Sequence, residues 1–297
     1  MNPPASPRAP ISVLIPVRNE AANLAACLAS VDFCEEIVVV DSGSTDATRA
    51  IATQAGATVV PFQWSGGFPK KKNWALENVP WKHEWVFIID ADERATPEMA
   101  AAMREIATAS NPPHAGYYVN RRFWFLDGWL NHCGYFPSWN LRFFRHRLGR
   151  YEQFAGTADT QSGDNEVHEH VVLQGSAGYL PGIMEHHAFP DIGTWVEKHN
   201  RYSNWEARLQ HDSSTRPEGE KTLDPGLARK RRLRRLAWRL PFRGTIRFLY
   251  HYVWRAGFLD GYRGFIFCRL MGWYEFLNAA KAAEMRRQDH RRLRHPQ

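Results

Sequence analysis

Short apolar runs alternate with helically spaced apolar positions through the first 110 residues. Residues 11–16 (ISVLIP), 36–41 (EIVVVD) and 85–90 (WVFIID) are β-branched runs bounded by polar residues, which predicts buried strands, and 57–61 predicts a shorter one. Between them Leu24, Cys27, Leu28 and Val31 recur at helical spacing, with Asn19 as the expected N-cap. A second helix over 45–56 ends on Gly56, as left-handed caps prefer. This rhythm predicts a parallel, doubly wound α/β sheet. After Pro112 and Pro113 the pattern changes: 117–126, 135–145 and 167–172 read as strands, the first two rich in aromatics. From Ile192 the chain reads as helix, with Trp195, His199, Tyr202 and Trp205 on one face. Residues 212–224 have linker composition, and helices rich in arginine and aromatics follow.

In such a sheet, ligands bind beyond the carboxyl ends of the strands, where strand order reverses. The strand-terminal residues are therefore the candidates: Pro16 to Glu20, Asp41 with Asp46 after it, and Asp90-Ala91-Asp92-Glu93. An acid in this position can be only a helix cap, a reading open for Asp46. Three acidic strand ends on one sheet edge would repel one another unless a cation lay between them. Two carboxylates on a tight turn, as in Asp90-x-Asp92, suit a hard divalent ion that keeps open positions for diphosphate oxygens.

Taken together, Ile15-Pro16-Val17-Arg18-Asn19-Glu20, Val39-Val40-Asp41-Ser42-Gly43-Ser44-Thr45-Asp46 and Ile89-Asp90-Ala91-Asp92-Glu93 resemble the family 2 glycosyltransferases of GT-A fold, especially the bacterial lipopolysaccharide-core enzymes. Looser matches at Arg142-Phe143-Phe144-Arg145, Val167-His168-Glu169 and residues 197–203 carry the likeness to about residue 210. The resemblance implies a GT-A (Rossmann-like) mixed sheet flanked by helices. Its catalytic domain would span 11–211, with a nucleotide half at 11–110 and an acceptor half at 111–211, after an N-terminal tail of 1–10. It implies inverting transfer from a nucleotide-sugar, with UDP the family default, to a lipopolysaccharide-core or other lipid-linked acceptor, assisted by Mg2+ or Mn2+. A polyprenyl-phosphate glycosyltransferase and a non-catalytic nucleotide- or RNA-binding module on the same fold are the rival readings. By the same resemblance Asp41 reads the base, Pro16 and Glu20 line the nucleotide pocket, and Lys72-Asn73 lie near the nucleotide. Asp92 and Asp90 match the metal motif, and His186 or His187 falls where a further metal contact is expected. Glu169 matches the base that takes the acceptor's proton, with Asp164 and Glu166 as rivals.

Composition adds a polarity along the chain. At 44% hydrophobic and 23% charged, the 297 residues exclude disordered and fibrous classes. From residue 221 onward there are nineteen Lys and Arg against five Asp and Glu, a balance of +14, while the preceding residues sum to −7. Arginines at 229–235 interleave with leucines, and aromatics follow to Phe276, the composition of an interfacial helix in a headgroup layer. The region 225–297 is therefore expected to be a helical, basic membrane-surface element facing anionic lipid, and no nucleic acid is expected as partner. Four cysteines without metal-finger spacing, no apolar leader run and no bilayer-length apolar stretch point to a reducing compartment. The expected location is cytoplasmic, peripheral on the inner face of the cytoplasmic membrane.

Overall fold

The computed structural model describes residues 7–153, 170–211, 238 and 240–294. The chain divides into two compact units, residues 1–123 with 137–188 and residues 124–136 with 189–297.

The first unit is built on an eight-stranded mixed sheet in the order β3-β2-β1-β4-β7-β6-β10-β5. β1 (Ala9–Val17) runs parallel to β2 (Cys34–Asp41) and β4 (Trp85–Ile88), and β2 is parallel to β3 (Thr58–Pro61). This half is the doubly wound arrangement expected from the sequence, except that β1 opens two residues inside the expected tail. Its strands are apolar on both sides because both faces are covered. Val13, Ile15 and Val17 join Leu24, Leu28, Met99 and Met103 in one core. Leu14, Val38, Val40 and Ile88 join Ala75 and Leu76 in the other. The helices supplying those residues are α1 (Ala21–Ser30), α3 (Lys71–Asn78) and α4 (Pro97–Thr108); α2 (Thr48–Gln54) precedes β3.

Antiparallel insertion makes the sheet mixed. β7 (Trp139–Arg145) lies antiparallel between β4 and β6 (Gly116–Phe123), and β10 (Ala177–His186) runs parallel to β6. β5 (Glu93–Ala95) closes the edge antiparallel to β10. At Gly182 the backbone has φ +85°, and an added Cβ would sit 2.5 Å from the Met99 amide nitrogen, so β10 can cross α4 only with glycine there. A small second sheet pairs β8 (Gly149–Tyr151) with β9 (Val171–Leu173). Of the strand expected over 167–172, the first three residues lie outside the described residues.

The second unit is helical: α5 (Ile192–His211), α6 (Arg243–Leu249), a π-helical turn (Tyr250–Trp254), a 3-10 turn (Gly257–Asp260) and α7 (Gly261–Arg294). α5 lies in this unit, where its aromatic face packs on α7. Trp195 is fully buried and stacks on His199, whose ring meets Tyr274 edge-on at 5.0 Å. Burial, more than any charge, pushes the His199 imidazole down to about 4. The expected linker at 212–224 lies outside the described residues. All four cysteines are free and buried. Among the described residues no helix is long and apolar enough to cross a membrane.

Candidate active site

The parallel register brings three strand ends level. Val17 pairs with Asp41 and Leu14 with Ile88, so residues 18–20, 41–46 and 90–93 emerge on one edge of the sheet. Each turn is held by its own side chains.

At the first two ends, Asn19 adopts the left-handed backbone (φ +55°) that asparagine tolerates. It is not the N-cap of α1. Its Oδ1 instead accepts a hydrogen bond from the Thr45 backbone N–H at 2.8 Å, stitching the β1 loop to the β2 loop. Asp46 does act as a cap. Its carboxylate accepts from the backbone N–H groups of Thr48 (3.0 Å) and Ala21 (3.1 Å), serving the starts of two helices. Pro16 is half-buried opposite Val40, and Glu20 accepts from the Asn23 side chain at 3.0 Å. Asp41 is fully buried; its carboxylate accepts from the Ser44 N–H at 3.0 Å and from Arg49 Nε at 2.5 Å. Burial raises its pKa, but the Ser44 and Arg49 hydrogen bonds outweigh that and hold it below the usual carboxylate value.

At the third end Asp90 and Glu93 close a tight turn. The Glu93 N–H donates to the Asp90 carbonyl, and Glu93 Oε2 accepts from the Asp90 N–H, both at 2.9 Å. Asp90 is then clamped between two cations: Lys72 Nζ is 2.9 Å from Oδ1 and Arg142 Nη2 is 2.8 Å from Oδ2. Burial opposes its ionisation, yet the Arg142 guanidinium and then the Lys72 ammonium hold it well below the carboxylate range. Arg142 also lies 3.6 Å from the buried Glu93, which Arg121 approaches at 3.3 Å. The Nη1 of Arg142 is buried without a hydrogen-bond partner.

Of the three consecutive lysines, Lys72 is the one that reaches Asp90, while Lys71 donates to the Val17 carbonyl at 3.2 Å. Asn73, expected near the nucleotide, has both ends of its amide engaged by the backbone of Tyr151, at 2.9 and 2.8 Å. It fixes Tyr151, whose ring lies 5.5 Å from Lys72 Nζ. Asp92 faces His186 across the β10–β5 pair, with Oδ1 3.5 Å from Nε2. His187 points elsewhere. Its backbone N–H donates to the Asp92 carbonyl at 2.8 Å and its ring faces Glu185. Glu169, with Asp164 and Glu166, lies outside the described residues.

A divalent ion fits Asp92 and His186. Their 3.5 Å spacing is close to the ~3 Å between neighbouring ligands of an ion with bonds of about 2.1 Å. Asp90 does not join them here, because both its oxygens already meet cations. Among the described residues no group of three metal-ligating side chains comes together. Two protein ligands leave positions for water and diphosphate oxygens.

The Asp90 clamp has a pH signature. A carboxylate whose folded pKa is depressed contributes stability that is complete above its ordinary value, near pH 4, and is lost as pH falls through the folded value. Asp90→Asn is therefore expected to be less stable than wild type at neutral pH and to lose less below about pH 4. Denaturant titrations at stepped pH measure this; equal acid slopes for the two proteins would remove Asp90 from the linkage.

A match to the model of glycosyl transferase family 2 covers residues 12–164. The chain belongs to this family. It is similar over 289 residues, at 31% identity, to the lipopolysaccharide core biosynthesis glycosyltransferase LpsC of Rhizobium meliloti, covering 93% of this chain and 92% of LpsC. Among solved structures, glucosyl-3-phosphoglycerate synthase of Mycobacterium tuberculosis with Mn2+, UDP-glucose and phosphoglyceric acid aligns at 25% identity. That alignment covers 39% of this chain and 44% of the synthase, with a TM-score of 0.30. The mannosyltransferase PcManGT of Pyrobaculum calidifontis, with GDP-Man and Mn2+, aligns over 93% of this chain and 87% of its own at 15% identity and a TM-score of 0.48. The mixed sheet flanked by helices is the α/β GT-A architecture expected, and the protein is a glycosyltransferase.

Proposed function

We propose that this enzyme transfers a sugar, with inversion, from a nucleotide-sugar to a lipopolysaccharide-core or other lipid-linked acceptor at the cytoplasmic face of an anionic membrane. The observation that carries the donor half is the strand-end cluster, where Asp92 and His186 sit beside a lysine–aspartate–arginine clamp. The likeness to LpsC over nearly the whole chain supports the acceptor half.

Asp92 and His186 would hold Mg2+ or Mn2+, which neutralises charge developing on a departing diphosphate. Arg142, with its unpaired Nη1, and Lys72 bring further positive charge to the same edge. Asp90 keeps both side chains in place. Asp41, Pro16 and Glu20 shape the neighbouring wall, in keeping with a nucleotide pocket. The acceptor hydroxyl oxygen attacks the anomeric carbon as the bond to the diphosphate oxygen breaks. Its proton passes to Glu169, and the nucleoside diphosphate leaves with the bonding electrons.

Ligand-linked stabilisation tests the donor half, because a ligand present at a hundred times its Kd raises stability by about 2.7 kcal/mol. UDP with Mn2+ is expected to raise the melting temperature, and UDP with chelator to raise it much less. Identical melting curves for all nucleoside diphosphates, with and without Mn2+, would contradict the reading.

A further inference from the structure

We infer that the outward face of α6 and of the two turns after it enters the headgroup layer of an anionic membrane, so that this turn is an inserted anchor. The inference rests on the membrane-surface part of the proposed function and deepens it by naming, within residues 225–297, the side chains that insert.

The face is apolar in the wrong direction for a helix that only packs. Ile246, Leu249 and Val253 recur three or four residues apart, Trp254 follows directly, and all four are exposed, Trp254 by 80%. His251, on the opposite side, is buried. Beyond the π-helical turn the pattern continues through Leu259 and Tyr262, which is 76% exposed. Isolated exposed apolar residues are ordinary; a contiguous run of this size marks an interaction surface.

These side chains are held out by polar contacts beneath them. The His251 ring meets the Cys133 carbonyl at 2.6 Å through Nδ1. Asp260 accepts from the backbone N–H groups of His132 (2.9 Å) and Asn131 (3.2 Å), and its carboxylate lies 2.9 Å from His132 Nδ1. Gly257 is buried so tightly that an added Cβ would lie 2.7 Å from Cys268 Sγ. Burying the aromatic rim inward would break this polar floor, so the rim remains in contact with whatever lies outside.

Charge identifies the occupant. Residues 240–275 contain five arginines and two acids: Asp260, which is engaged inward, and Glu275, which pairs with Arg243. Arg255 and Arg269 are exposed beside the apolar rim. Tryptophan and tyrosine at headgroup depth, flanked by arginine, match an anionic lipid interface.

The test uses the full chain with vesicles of phosphatidylcholine alone or mixed with phosphatidylglycerol. Wild type is expected to bind the mixed vesicles with a blue shift of tryptophan emission. The triple variant Trp254→Ser, Leu259→Ser, Tyr262→Ser is expected to bind on the order of a hundredfold less, while hydrolysing UDP-sugar in solution as wild type does. A variant with Arg231, Arg232, Arg234 and Arg235 changed to Gln is expected to lose less affinity and keep the blue shift. If the triple variant binds like wild type while the arginine variant does not, insertion is overturned and electrostatic membrane binding stands. If wild type hydrolyses donor but binds no vesicle, the membrane reading itself fails. Concentration-dependent dimerisation that the triple variant abolishes, without vesicle binding, would assign the face to a second copy and also overturn the inference.

Discussion

Asp92→Asn is expected to lower sugar transfer by at least about a thousandfold while leaving the fold and its melting temperature nearly unchanged. Asp92 is the acid of the strand-end cluster that faces His186 and stands apart from the Lys72–Arg142 clamp. Replacing one carboxylate oxygen by an amide keeps volume and hydrogen bonding but removes the negative charge a divalent ion requires. Nucleotide affinity measured with Mn2+ should fall, and affinity measured in chelator should not, which separates loss of the ion from general damage. His186→Ala is expected to act in the same sense but less strongly, since imidazole contributes no charge. Asp90→Asn is expected to differ in kind: its larger effect falls on stability, because Lys72 and Arg142 would then be left partly buried without their anion. Full transfer by Asp92→Asn, or by wild type in excess chelator, would take the metal out of the mechanism.

How much of this site was legible in the sequence depends on where each residue comes from. The acids at 41, 90 and 92 could be read because each ends or closely follows a buried parallel strand, and register carries such ends to one edge. Arg142 could be quoted as part of a motif but given no role. It arrives on an antiparallel strand inserted between β4 and β6, and no spacing rule places it opposite Asp90. Lys72 was separable from Lys70 and Lys71 only once the start of α3 was fixed. Asn19 looked like a cap because it precedes an apolar helix; a competing turn with Thr45 draws its side chain away. The ten-residue strand β10, which delivers His186, was not read at all, since Pro181 and Gly182 interrupt its pattern as a loop would. Helical periodicity likewise reports that α5 has an apolar face without saying which partner buries it; that partner is α7.

Glu169→Gln is expected to slow transfer by roughly 10²–10⁴-fold while leaving donor binding and its metal dependence intact, because the amide keeps the shape of the side chain but cannot accept the acceptor's proton. The expectation comes from the Val167-His168-Glu169 motif, because Glu169 itself lies outside the described residues. A pH–rate profile gives the second readout. Wild-type kcat should rise with pH as the carboxylate ionises, and that limb should be absent from Glu169→Gln. If Glu169→Gln transfers sugar normally while Asp164→Asn or Glu166→Gln does not, the base belongs to that residue, and the motif match is out of register.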